Sequence, residues 1–130
     1  MKKKHVISLM IVGAVIALCI IVLNIDRSDM RNTEKILVTV GETQEIYEID
    51  DKEIINKIVN KVIKDEKAGF DLFIQEPYEY ALEFFTPENG YGPLLCYRGL
   101  GVCIFERDTA GNYIQVDEKF FKWIEEGMKN

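Results

Sequence analysis

Histidine and serine are almost missing from this chain. The one histidine is His5, and the two serines, Ser8 and Ser28, both precede residue 34. A Ser-His-Asp triad, a Cys-His nucleophile and a histidine-ligated zinc centre are therefore excluded from residue 34 onward. Cysteine is scarce as well. Cys96 and Cys103 supply too few soft ligands for a structural zinc site and lack the Cys-x-x-Cys redox spacing. Gly99-Leu100-Gly101 lacks the third glycine and the strand-to-helix setting of a phosphate loop. No catalytic residue, metal or cofactor is assigned. Positive charge is also thin: residues 34–130 carry 11 Lys and Arg against 20 Asp and Glu, net −9, whereas residues 1–33 are net +3. That balance disfavours a nucleic-acid partner and an anionic headgroup surface.

What is abundant is apolar sequence at the start. Lys2, Lys3, Lys4 and His5 precede a run from Val6 to Ile25 broken only by Ser8, Gly13 and Asn24. As a helix the run would be about 30 Å long, the thickness of a bilayer's hydrocarbon core. A cleaved signal would end sooner, at a small-x-small site. A lipoprotein signal would modify Cys19, but Leu18 stands where a small residue is wanted and the apolar run continues past it. The preferred expectation is a single-pass anchor through residues 6–25, with Cys19 as apolar filler. The three leading lysines keep the N-terminus cytoplasmic and place the rest outside the plasma membrane.

Three parts are expected: a cytoplasmic stub and anchor over 1–25, a polar linker over 26–33, and one extracytoplasmic domain over 34–130. Lys35–Val40 and Gln44–Ile49 alternate polar and apolar residues about Gly41 and predict a hairpin. Ile54, Ile55, Ile58, Val59, Val62 and Ile63 recur at helical spacing. Asp50 with Glu53 has capping-box spacing, so this helix is expected to start at about Asp51 and end near Ala68 or Gly69. Tyr78, Tyr80, Leu82 and Phe84 predict a strand, Thr86–Gly90 a turn, and Leu94–Arg98, Val102–Arg107 and Tyr113–Val116 three more strands. Asp117 can cap a closing helix with Phe120, Phe121, Ile124 and Met128 on its apolar side. The expected class is α+β, order ββαββββα, an antiparallel sheet with two helices packed on it.

If the later hairpin turns on Gly99 and Leu100, Tyr97 faces Val102 and Cys96 faces Cys103. Facing Cα atoms lie about 4.5 to 5.5 Å apart, within reach of a disulfide. Outside the cytoplasm such a bond persists; packed free thiols are the alternative. Glu79 and Glu83 point the same way from one strand and form a weak candidate for a carboxylate acid and base pair, although alternate glutamates are ordinary on a solvated strand face. Asp50, Asp51 and Glu53 are explained by a helix cap without calcium. Tyr91, Tyr97 and Phe105, near the glycine-rich turns, are candidates for a partner surface or for sheet packing.

The basic start and span, then "ILVTVGETQEIYEIDDKEIINKIV", "YEYALEFFTPENG" and "NYIQVDEKFFKWIEEGM", resemble small membrane-anchored or lipoprotein-type domains of Gram-positive bacteria. The resemblance is one of pattern over most of residues 35–128. It implies an extracytoplasmic domain without an assigned activity, and the Cys96 and Cys103 pair departs from it. The leading functional expectation is a non-enzymatic binding module at the outer face, meeting a membrane protein or a secreted protein or peptide. An enzyme using carboxylates on an envelope polymer and a structural tether are the alternatives.

Overall fold

The computed structural model describes residues 28–69, 74–106 and 111–129. The expected anchor over residues 6–25 lies outside them. Among the described residues no helix is long and apolar enough to cross a membrane.

A short 3-10 turn, Ser28–Asn32, leads into β1 (Lys35–Val40) and β2 (Ile46–Ile49), followed by helix α1 (Lys52–Lys64) and β3 (Glu66–Lys67). Then come β4 (Tyr80–Phe85), β5 (Gly90–Tyr97), β6 (Val102–Phe105), β7 (Tyr113–Gln115) and helix α2 (Glu118–Lys129). The strands form one antiparallel sheet in the order β2-β1-β4-β5-β6-β7-β3. The α+β class thus holds, with one strand more than the sequence pattern predicts.

The alternation works as the sequence implies. Ile36 and Val38 of β1, Leu82 and Phe84 of β4, Leu94 and Cys96 of β5, Cys103 and Phe105 of β6 all point to one face. There they meet Ile54, Ile55, Ile58, Val59 and Val62 of α1 and Phe120, Phe121 and Ile124 of α2 in a single core. Each such side chain contributes about 1.5 to 3 kcal/mol of burial. Gly127 lets α2 close on β2, because a Cβ there would lie 2.8 Å from Ile49 side-chain carbons.

Both helix starts are capped by aspartate. Asp51, not Asp50, is the cap of α1; its carboxylate accepts from the N–H groups of Glu53 and Ile54 at 2.9 and 3.2 Å. Asp117 accepts from Phe120 N–H at 3.3 Å, as expected for α2. Helix α1 ends at Lys64, several residues before the glycine signal. Beyond it Glu66 and Lys67 pair with Ile114 and Tyr113 of β7, and that ladder competes with further helix.

Two further boundaries are corrected. The expected linker over 26–33 belongs to the domain from Ser28: Met30 is fully buried in the core and Thr33 Oγ1 donates to Met30 O at 2.5 Å. Strand β5 begins at Gly90, four residues before the predicted Leu94. Gly92 and the cis Gly92-Pro93 peptide lie within it, where the β4–β5 register shifts between Leu82 and Phe84. Only glycine suits position 92, since φ is +124° and a Cβ would sit 2.6 Å from Leu82 O.

Candidate interaction surface

The strand directions give the domain two ends. The chain enters where β1 begins, beside the β4–β5 turn; at the opposite end lie the β1–β2 turn, the β5–β6 turn and the start of α2.

At the far end Arg98 is the centre of a charged cluster. Its Nε donates to Glu79 Oε1 and its Nη1 to Glu118 Oε1, both at 2.9 Å, and its Nη2 to Glu125 Oε2. The guanidinium also lies over the Phe121 ring, 4.7 Å from its centroid. Partial burial works against the charged form, but the hydrogen bonds that Arg98 donates to Glu79 and Glu125 outweigh it and raise the Arg98 pKa. Tyr80 Oη donates to the same Glu125 oxygen at 2.9 Å. Burial first, and that carboxylate second, push the Tyr80 phenol up to about 12.

This cluster takes apart the weak carboxylate pair. Glu79 lies just before β4 and is held by Arg98, whereas Glu83 is exposed on the sheet face away from the helices, in a cross-strand row with Leu37 and Glu48. The two do not share a cleft. Among the described residues no group of three or more His, Cys, Asp or Glu is placed to hold a metal ion.

The aromatic surface is corrected as well. Tyr97 is 8% exposed and Phe105 5%, and Tyr91 is half-buried with its hydroxyl donating to Asp29 Oδ2 at 3.3 Å. Phe105 packs with Phe84 in the core. Tyr97 points to the other face, yet that face is also buried at Ala81, Val102 and Ile104. The connection from β3 to β4 has to bridge β7, β6 and β5, and Glu76 and Tyr78 from it act electrostatically on Tyr97. The three rings therefore offer no exposed patch.

Cys96 and Cys103 do face each other, as the turn geometry predicts. Glu106 N–H bonds to Pro93 O at 3.0 Å, so Pro93 and Glu106 are a hydrogen-bonded pair, and alternation makes Cys96 and Cys103 a non-hydrogen-bonded one. That is the closer kind, about 4.5 Å between Cα atoms. Both are free thiols here and fully buried; burial foremost, then the neighbouring Cys103, raises the Cys96 thiol pKa.

At the entry end a cleft of about 320 Å³ is lined by residues including Arg31, Lys52, Glu34 and Pro87. It carries both signs of charge, and Arg31 already donates to Asn60 Oδ1 at 3.1 Å. Among the described residues every buried side-chain polar atom has a partner, so no unpaired buried group aims into it.

The exposed apolar groups lie elsewhere. Among the described residues the large exposed hydrophobics are Ile46 (64%), Leu100 (46%) and Tyr47 (38%). Leu100 sits on the β5–β6 turn, and Ile46 and Tyr47 open the edge strand β2 beside the β1–β2 turn. Ile46 pairs with Thr39 and points away from the helices; Tyr47 pairs with Val38 and points to the helix side. Tyr47 Oη donates to Glu45 Oε1 at 3.1 Å, and that bond raises its pKa. Sequence alternation assigns residues to faces but not strands to edges, so this surface was not readable before the strand order.

No family model, no curated protein and no solved structure matches the chain.

Proposed function

We propose that this protein is an interaction module held at the outer face of a plasma membrane by residues 6–25, working by association and not by catalysis. The observation that carries the reading is the placement of Ile46, Tyr47 and Leu100 at the end of the domain opposite to chain entry. A tether through the entry end would turn these apolar groups away from the bilayer, toward a membrane or secreted protein. The engagement of Glu79 by Arg98 leaves the enzyme alternative without an assembled acid and base pair. A photo-crosslinking residue at position 46, 47 or 100 in living cells is expected to give discrete adducts, with Lys57 on α1 as the silent control. Equal labelling at all four positions would sink the reading.

The same location favours a Cys96–Cys103 bond. Its small loop makes the expected gain only about 2.5 kcal/mol. Protein recovered from its own membrane without reductant is expected to resist alkylation after unfolding; two freely alkylated thiols would remove the bond.

A further inference from the structure

We propose that the outward edge of β2 docks an extended, cationic segment of a second protein, which joins the sheet as an eighth strand. This inference rests on the interaction-module reading and gives the partner's chemistry. Val40 N–H bonds to Glu45 O at 2.9 Å, so that facing pair is hydrogen-bonded. Ladder alternation then makes Thr39 with Ile46, and Leu37 with Glu48, pairs whose β2 backbone groups turn away from β1. Ile46 and Glu48 thus present two N–H and two C=O groups along a margin that is exposed from Ile46 to Glu48. Such a margin is a template for strand addition. The opposite margin, β3, is only two residues long.

Side chains and charge select the occupant. An added strand would cover Ile46 on one face of the sheet and Tyr47 on the other. From Gly41 to Asp51 the chain carries Glu42, Glu45, Glu48, Asp50 and Asp51 and no lysine or arginine. Glu83 stands in the same cross-strand row as Glu48. A second copy of β2 would bring together two segments that each carry these five acidic residues and no basic one, and such like-charge juxtaposition is costly. A segment with a basic residue opposite Glu48 and an apolar one opposite Ile46 satisfies both groups, the backbone bonds giving affinity and the charges selectivity.

The test uses the full-length protein in nanodiscs of zwitterionic lipid, with empty discs as background. A labelled ten-residue peptide with lysine and valine taking turns at every second position, and threonine between them, is compared with its glutamate-for-lysine counterpart and with two N-methylated forms, each blocking the amides of one edge. The lysine peptide is expected to bind at least about tenfold tighter than the glutamate peptide and than one of the two N-methylated forms, and Glu48→Lys to weaken it by about tenfold. Equal binding of both N-methylated forms would reduce the effect to charge attraction and overturn strand addition. Equal binding of the glutamate peptide, or a dimer in sedimentation that Glu48→Lys alters, would overturn the choice of occupant. If the peptides fail while adducts from Leu100 persist, this proposal falls alone. Silence at positions 46, 47 and 100 together removes the module reading with it.

Discussion

Asp29 at the entry end and Arg98 at the far end each gather several partners, but the partners differ in kind. Asp29 accepts from Asn32 Nδ2, Thr86 Oγ1, Asn89 Nδ2 and Tyr91 Oη at 3.0 to 3.3 Å, all of them neutral donors. Arg98 binds three carboxylates that would repel one another without it. The first cluster ties the segment entering the domain to the β4–β5 turn and needs one carboxylate to stay ionised. The second ties α2 to the sheet and needs its one cation. Removing either centre therefore has different consequences for the groups left behind.

The largest effect is expected at Arg98. Arg98→Met keeps an apolar stem over Phe121 but leaves Glu79, Glu118 and Glu125 facing one another. Breaking a buried pair costs 3 to 5 kcal/mol, and with the Arg98 side chain 30% exposed the expected loss is about 2 kcal/mol. In a domain of this size that is about 10 °C in Tm. Adding Glu79→Gln and Glu125→Gln is expected to restore part of it. An unchanged Tm in the single variant would show that the three carboxylates are better solvated than their contacts suggest.

Tyr80 sharpens the comparison at high pH. Its folded pKa is raised from 10.0 to about 12, so its contribution is complete below pH 10 and is lost as pH rises through about 12. Urea midpoints are expected to fall between pH 10 and 12, and Tyr80→Phe to flatten that fall after correction for the other tyrosines. The slope surviving unchanged in Tyr80→Phe would assign it elsewhere.

Much of the framework was legible because local rules suffice for it. The β1–β2 hairpin, the core face of α1, the Asp117 cap and the pairing of Cys96 with Cys103 follow from alternation, helical spacing and turn chemistry. What escaped depends on distant partners. Met30 sits in a 3-10 turn too short to show a period, and β3 is two polar residues whose strand state exists only through β7. Gly92 and Pro93 precede the strand predicted from Leu94 but stand inside β5. Tyr97 looked available because period-two alternation does not tell whether both faces of a sheet are covered. The site of the proposed function escaped for the complementary reason: β2 is exposed because of its place in the strand order.

Asp29 supplies the acid counterpart to Tyr80. Hydrogen bonds from Asn89 and Asn32, then Thr86 and Tyr91, hold its carboxyl below the ordinary 3.8 despite some desolvation. A depressed pKa contributes stability above the unfolded value and loses it as pH falls through the folded value. Asp29→Asn is expected to unfold at slightly lower urea at pH 7 and to lose less than the parent protein on going to pH 3. An identical acid loss in both proteins would show that Asp29 does not set the entry end's pH response.

The smallest effect is expected from Glu118→Gln, and it tests whether the Arg98 cluster acts through all three carboxylates equally. Glu118 is the most exposed of them, with 62% of its side chain in solvent, whereas Glu125 also receives the Tyr80 hydroxyl. Exposed ion pairs contribute about 0 to 1 kcal/mol because water screens them and two long side chains must be held still. Glu118 is also the only acidic residue in the first turn of α2, where a negative charge meets the helix dipole favourably by about 0.3 to 1 kcal/mol. Both terms weaken as salt is added. Glu118→Gln is thus expected to lower the urea midpoint slightly in dilute buffer and not measurably in about 1 M salt, where the screening length is about 3 Å. Glu125→Gln, whose partners are less exposed, should keep most of its cost in the same salt. Equal salt sensitivity of the two variants would make the far end a solvated charge network and erase its difference from the entry end.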